Sequence, residues 1–204
     1  METGTAAPPK LSDQLERWLT GKNDKTLGGL VDAFGDKSFA ILLVVLLAVP
    51  ALPLPTGGVT HVFEIIGALI ALELIAGRQE VWLPRRWRAL ELGGDRQQRF
   101  ISGLMRLIRR LERIARPRLT FIFRRRVSDI VFGLFVVLGA AGAFVAPPFS
   151  GLDTLPALGV VVLALGVLLE DALIAAVGIA LEIAGLTLVL ALGAAAVHGV
   201  SALL

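Results

Sequence analysis

Apolar and polar positions along this chain fall into blocks. Two of them share one plan: an apolar run, a break rich in proline and glycine, a second apolar run, then abrupt charge. The first occupies Asp36 to Arg78, with Pro53, Pro55, Gly57 and Gly58 at its centre; the second occupies Asp129 to Asp171, around Pro147, Pro148 and Gly151. An offset of 93 positions aligns Asp36 with Asp129, Phe39 with Phe132, Pro55 with Pro148, Gly58 with Gly151 and Leu72 with Leu165. Eight of the 43 aligned positions are identical, a weak signal in so apolar a sequence, but the breaks coincide. Paired, interrupted apolar segments point to a duplicated membrane protein whose working site lies where the breaks meet.

The pattern predicts these elements in order. Residues 10 to 35 form two short amphipathic turns, with Leu11, Leu15, Trp18 and Leu19 on one stripe before Gly21, and Leu27, Leu30, Val31 and Phe34 before Gly35. Glycine is a natural helix stop at both points. A first hairpin follows, with arms 38–54 and 59–77; its first arm is short for a full crossing, so a re-entrant hairpin is the alternative to a spanning one. A basic amphipathic helix with Phe100, Ile101, Leu104, Met105, Ile108, Leu111 and Ala115 at helical spacing runs up to Pro117. It is expected to lie in the headgroup plane, its Arg106, Arg109, Arg110 and Arg113 against anionic lipid. The alternative is a basic helix packed on a soluble partner or on nucleic acid. The second hairpin has arms 129–146 and 153–169, and residues 172–204 form one tilted membrane helix or a broken pair.

Charge sharpens this picture. Residues 38 to 60 and 130 to 152 carry no charge, and 183 to 204 hold only His198 as a titratable side chain. Runs of about 18 or more such residues are long enough to cross a bilayer. All 20 Lys and Arg precede residue 127, five in the N-terminal segment and fifteen from Arg78 to Arg126, which places both regions on the cytoplasmic face. Trp82 and Trp87 flank Pro84 where interfacial tryptophans are expected. The first 37 residues have no early apolar stretch, so no cleavable export signal is expected. The expected fold is an all-α integral membrane protein: a cytoplasmic segment 1–37, hairpin repeats at 38–78 and 127–171, a basic segment 79–126, and a C-terminal membrane region 172–204.

The order of parts resembles the exopolysaccharide synthesis protein ExoD family. The likeness runs through Leu11 to Leu19, Thr26 to Phe34, Pro50, Pro53 and Pro55, Leu72 to Arg78, Trp82-Leu83-Pro84, Arg116-Pro117-Arg118, Pro147-Pro148, Leu155-Pro156 and Leu168 to Asp171. The resemblance implies a bacterial inner-membrane protein linked to exopolysaccharide production and, in some members, to growth under alkaline conditions. It brings no established catalytic site. Where the family carries a neutral Gln this chain has Glu73, so any role for that charge is particular to it.

Several ionisable residues lie within or beside the apolar runs, where they are expensive and are functional candidates by default. His61 and Glu64, three apart on a helix, can meet; a local hydrogen-bonded pair is the plain reading and a proton-binding pair the functional one. Glu73, close to Arg78, reads as an interfacial carboxylate. Glu182 lies eleven residues beyond Asp171, about 16 Å deeper, near the bilayer centre. It is either an ion or proton site or a neutral acid bonding across helices. Glu170 and Asp171 read as a helix boundary or as the cytoplasmic entrance of a cation path. Asp153 reads as an N-cap three residues before Pro156, with Thr60 its counterpart in the first copy. Two helix N-termini at matching breaks would also form an anion site.

No cysteine is present and the two histidines are far apart, which argues against a metal centre. There is no phosphate-binding loop or nucleophile elbow, so no enzyme and no cofactor is expected, a lipid-headgroup enzyme being the remote alternative. The leading expectation is a transporter or permeation unit for a small ion or anion, coupled to protons through Glu64, His61 or Glu182. The rival is a non-transporting accessory subunit of polysaccharide assembly. A homodimer is expected, with Gly133, Gly139 and Gly142 allowing close helix approach, although packing against lipid would also use small residues. No nucleic-acid partner is expected.

Overall fold

A computed structural model describes residues 10–21, 25–52, 59–91, 95–123, 125–146 and 151–201. Its elements are α1 (Leu11–Thr20), α2 (Leu27–Phe34), a 3-10 turn (Gly35–Lys37), α3 (Ser38–Leu47), α4 (Val59–Ala76), α5 (Arg85–Arg88), α6 (Asp95–Ile114), α7 (Arg126–Val145), α8 (Thr154–Leu168) and α9 (Ala172–Ser201). Among the described residues there is no strand, only isolated bridges of Thr26 with Glu91 and of Arg118 with Asp171.

The amphipathic turns form helices where the stripes place them. Leu11, Leu15 and Trp18 of α1 are buried, and so are Leu27, Leu30 and Phe34 of α2. The Thr26 side chain caps α2 by accepting from the Gly29 N–H at 3.1 Å. Gly35, at φ 48°, turns the chain out of α2 in a conformation that disfavours a Cβ.

At the centre lie α3 and α8. All ten residues of α3 are buried. It stops at Leu47, well short of the arm read over 38–54. At 1.5 Å per residue α3 and α8 are about 15 and 22 Å long, less than the ~30 Å of a bilayer core. Around them stand α4, which packs on α3 and α7, and α9, which packs on α8 and α7. The C-terminal region is one unbroken helix of 30 residues despite Gly178, Gly185 and Gly193. Gly178, Gly185 and their counterparts on α8 serve packing instead, whereas Gly193 faces open space. A Cβ on Gly159 of α8 would stand 2.5 Å from the Glu182 N, one on Gly166 2.7 Å from the Ala175 Cα, and one on Gly185 of α9 2.6 Å from the Pro156 N. The α8–α9 hairpin is therefore closed backbone against backbone, at a separation no larger residue permits.

Polarity runs opposite to that of a water-soluble bundle. Val62, Ile65, Leu69 and Leu72 line an exposed face of α4, and Val127, Val131, Leu134 and Leu138 one of α7, while Glu64 and Glu182 are buried at 1% and 0% exposure. Two helices, α7 and the first 24 residues of α9, are long and apolar enough to cross a membrane, and only 33% of either apolar window is covered by protein. A core helix of a soluble protein is covered on most sides; these leave a broad apolar belt open.

The basic helix α6 departs from expectation. Its Leu104, Met105 and Ile108 are buried in the same cluster as Leu11, Leu15 and Trp18, because α1 packs along it. Glu112 accepts from the Ser12 N–H at 2.8 Å and from its hydroxyl at 2.5 Å, and Arg109 pairs with Glu16 at 2.7 Å. The described part of the stripe that was expected to face lipid is therefore covered by the chain's own first helix.

Candidate functional site

The described residues that flank the two breaks come together. His61 lies in the first turn of α4, and its Nδ1 is 2.8 Å from Oε2 of Glu64, the contact that an i, i+3 spacing allows. The imidazole is 27% exposed and the carboxyl 1%, so the pair has one end at a surface and the other in the interior. Its ring rests on Phe144 near the end of α7, with centroids 4.9 Å apart. Asp153, immediately before α8, is close enough to act electrostatically on Glu64. The second oxygen of Glu64 is buried without a hydrogen-bonding partner, as is the Thr154 hydroxyl. The 2.8 Å contact joins an imidazole at a surface to a carboxyl in the interior, within the reach that acid–base chemistry requires.

Pro53, Pro55, Gly57, Gly58, Pro147 and Pro148 lie outside the described residues. Gly151 has φ 70°, a left-handed conformation that favours glycine just before α8. Asp153 does occupy the N-cap position, but its side chain makes no capping bond, contrary to expectation. Thr60 lies inside α4 and is not its cap.

Glu182 stands apart at the crossing of α7, α8 and α9. Both carboxyl oxygens are buried and no side chain donates to them, the Gly139 backbone being the donor close enough to act on the carboxyl. A Cβ on Gly139 of α7 would stand 3.1 Å from the Glu182 Cδ, so the carboxyl lies directly against that backbone.

The acids at the helix ends have structural partners. Asp171 accepts from the backbone N–H of Arg116 at 2.8 Å and of Leu173 at 2.9 Å, and from the Arg118 guanidinium at 3.4 Å. Burial alone would raise its pKa, but these donors and the Arg118 charge outweigh it, and the carboxyl is held below the usual aspartate range. It thus caps α9 and clamps the chain beyond α6 to the α8–α9 turn, where Glu170 adopts φ 52° and its carbonyl accepts from the Arg118 N–H at 3.2 Å. Glu73 accepts from the Trp82 N–H at 2.8 Å and so holds the loop after α4.

Among the basic residues, Arg110 and Arg113 are exposed, whereas Arg109 is engaged with Glu16; Arg106 is also exposed. Arg126 was not singled out by its sequence context. It reaches across to α4, donating to the Leu74 carbonyl at 2.7 Å and to that of Ile75. Its position at the charged start of an apolar run was the available signal, since cations suit helix C-termini, but the partner helix was not legible. The glycines read as a dimer face are used within the chain: Gly133 against Ala71 and Ile75, Gly139 against Val160 and Glu182, Gly142 against Leu186.

Residues 11–191 match the model of a family described as "Exopolysaccharide synthesis, ExoD". The chain belongs to the ExoD family. It is 30% identical over 174 residues to Protein ExoD of Rhizobium meliloti, covering 82% of this chain and 71% of that one. It is 34% identical over 143 residues to an uncharacterized protein of Synechocystis sp., a match covering 70% of this chain and 66% of the relative's length. No solved structure matches. The ExoD family is linked to exopolysaccharide synthesis, and among its described residues this member is all-helical, with two helices long and apolar enough to span a membrane.

Proposed function

We propose that this ExoD-family chain is a multi-pass protein of the bacterial inner membrane that serves exopolysaccharide production as a proton-linked permeation unit for a small ion. The observation that carries the reading is the His61–Glu64 pair, with a half-buried imidazole leading to a buried carboxyl inside a bundle whose exterior is apolar. An ionisable pair in such a place is costly to keep and has a natural use in moving protons. The distribution of Lys and Arg supports a cytoplasmic N-terminus and a cytoplasmic α6, with Arg110 and Arg113 at anionic headgroups. In this reading the protein is not an enzyme. The α7 glycines are occupied by its own helices, so they give no support to a homodimer.

The test is ion flux in proteoliposomes under an imposed pH gradient, using a panel of monovalent cations and anions. The purified chain should conduct in a pH-dependent manner, and Glu64→Gln, which keeps the shape but cannot ionise, should abolish that dependence. A folded chain that restores exopolysaccharide output in a deletion strain yet shows no flux would overturn permeation and leave the accessory-subunit reading.

A further inference from the structure

Glu182 has a setting different from every other acid described. Its two oxygens are buried with no side-chain donor, and the glycines opposite it, Gly139 and Gly159, bring two helix backbones against it, that of Gly139 close enough to act on the carboxyl. The elements packed on it supply no counter-charge. Helix α8 has no titratable residue; α7 has only Arg126 and Asp129, the latter ten residues, about 15 Å, from Gly139. Asp153 is six residues, about 9 Å along the axis, before Gly159 and is itself an acid. On α9, His198 is sixteen residues away, about 24 Å.

A carboxylate so placed needs a cation from outside, and the surroundings decide which. A metal ion requires several oxygen ligands at once, whereas the carbonyls of a continuous helix are already engaged in its own hydrogen bonds. A proton needs one oxygen.

We propose that Glu182 is an inner proton-binding residue of the bundle, taking up one proton on a carboxyl oxygen from hydronium and leaving water behind. This deepens the permeation reading and rests on it for its purpose, though not for its test. The probe is N,N′-dicyclohexylcarbodiimide, an apolar reagent that adds to protonated carboxyls and is located by peptide mass spectrometry. The chain is held in lipid nanodiscs near pH 7, where an ordinary exposed Glu is protonated to roughly one part in 500.

Label on Glu182 should exceed that on exposed acids by about a hundredfold. It should persist in Glu64→Gln, vanish in Glu182→Gln, and be indifferent to excess NaCl. A folded protein that takes no label at Glu182, or one whose labelling NaCl prevents, overturns the proposal, the second outcome by showing a metal-ion site. Labelling mapped on the wild-type chain is decisive even where Glu182→Gln does not fold. Labelling without flux would overturn permeation and leave the proton site standing.

Discussion

Asp171 is where a single side chain fixes the most structure, because two backbone donors and a guanidinium converge on its carboxylate. A pKa held below the unfolded value means that the folded state favours the ionised form. The resulting stability is complete above the unfolded value, near 3.8, and is lost as pH falls through the lower folded one. In Asp171→Asn one of the two acceptors becomes an NH2 group facing a donor, so near neutral pH the variant should be less stable by about 1–2 kcal/mol. Thermal unfolding of both proteins across pH should show the gap closing in acid; a gap unchanged to about pH 2 would remove the carboxylate from the account. His61 and Glu64 teach a related lesson. Their meeting follows from a spacing of three on one helix and was legible in the sequence; that the two breaks approach was an expectation of the paired pattern, but the particular contacts with Phe144 and Asp153 depend on how other helices pack and were not legible.

Between elements, the closest packing is the α8–α9 seam. A methyl added at Gly166 would stand 2.7 Å from the Ala175 Cα, while one at Gly193, on the same hairpin, would meet nothing within 4 Å. Gly166→Ala should therefore destabilise the protein by about 3 kcal/mol, and Gly193→Ala should be neutral or stabilising by up to about 1 kcal/mol. Denaturation of the two variants in the same detergent would show it, and equal midpoints would mean that the seam tolerates separation. The sequence showed that small residues were available for close approach but not which helix would approach. Hence Gly133, Gly139 and Gly142 read equally well as a face for a second copy. The stripe of α6 behaved alike: periodicity reveals a face that must be covered, and either lipid or α1 satisfies that demand.

For the whole molecule, order of synthesis matters because α3 is wholly buried and packs on α8. The helix it needs is finished only when Leu168 has been made, 121 residues after Leu47. At roughly 5–20 residues per second, that leaves a wait of about 6–24 s during which the first hairpin has no partner. Arg126, which secures the end of α4, also comes late. A chain whose packing is incomplete is open to proteolysis. A fragment of residues 1–125 should thus disappear quickly in a pulse-chase, and co-expression of residues 126–204 should restore its lifetime. Persistence of the fragment alone, for as long as the full chain, would show that the first hairpin can stand by itself. Otherwise the rate of translation through the basic segment sets how many molecules survive to assemble, and a pause there reduces yield with no change in the stability of the finished protein.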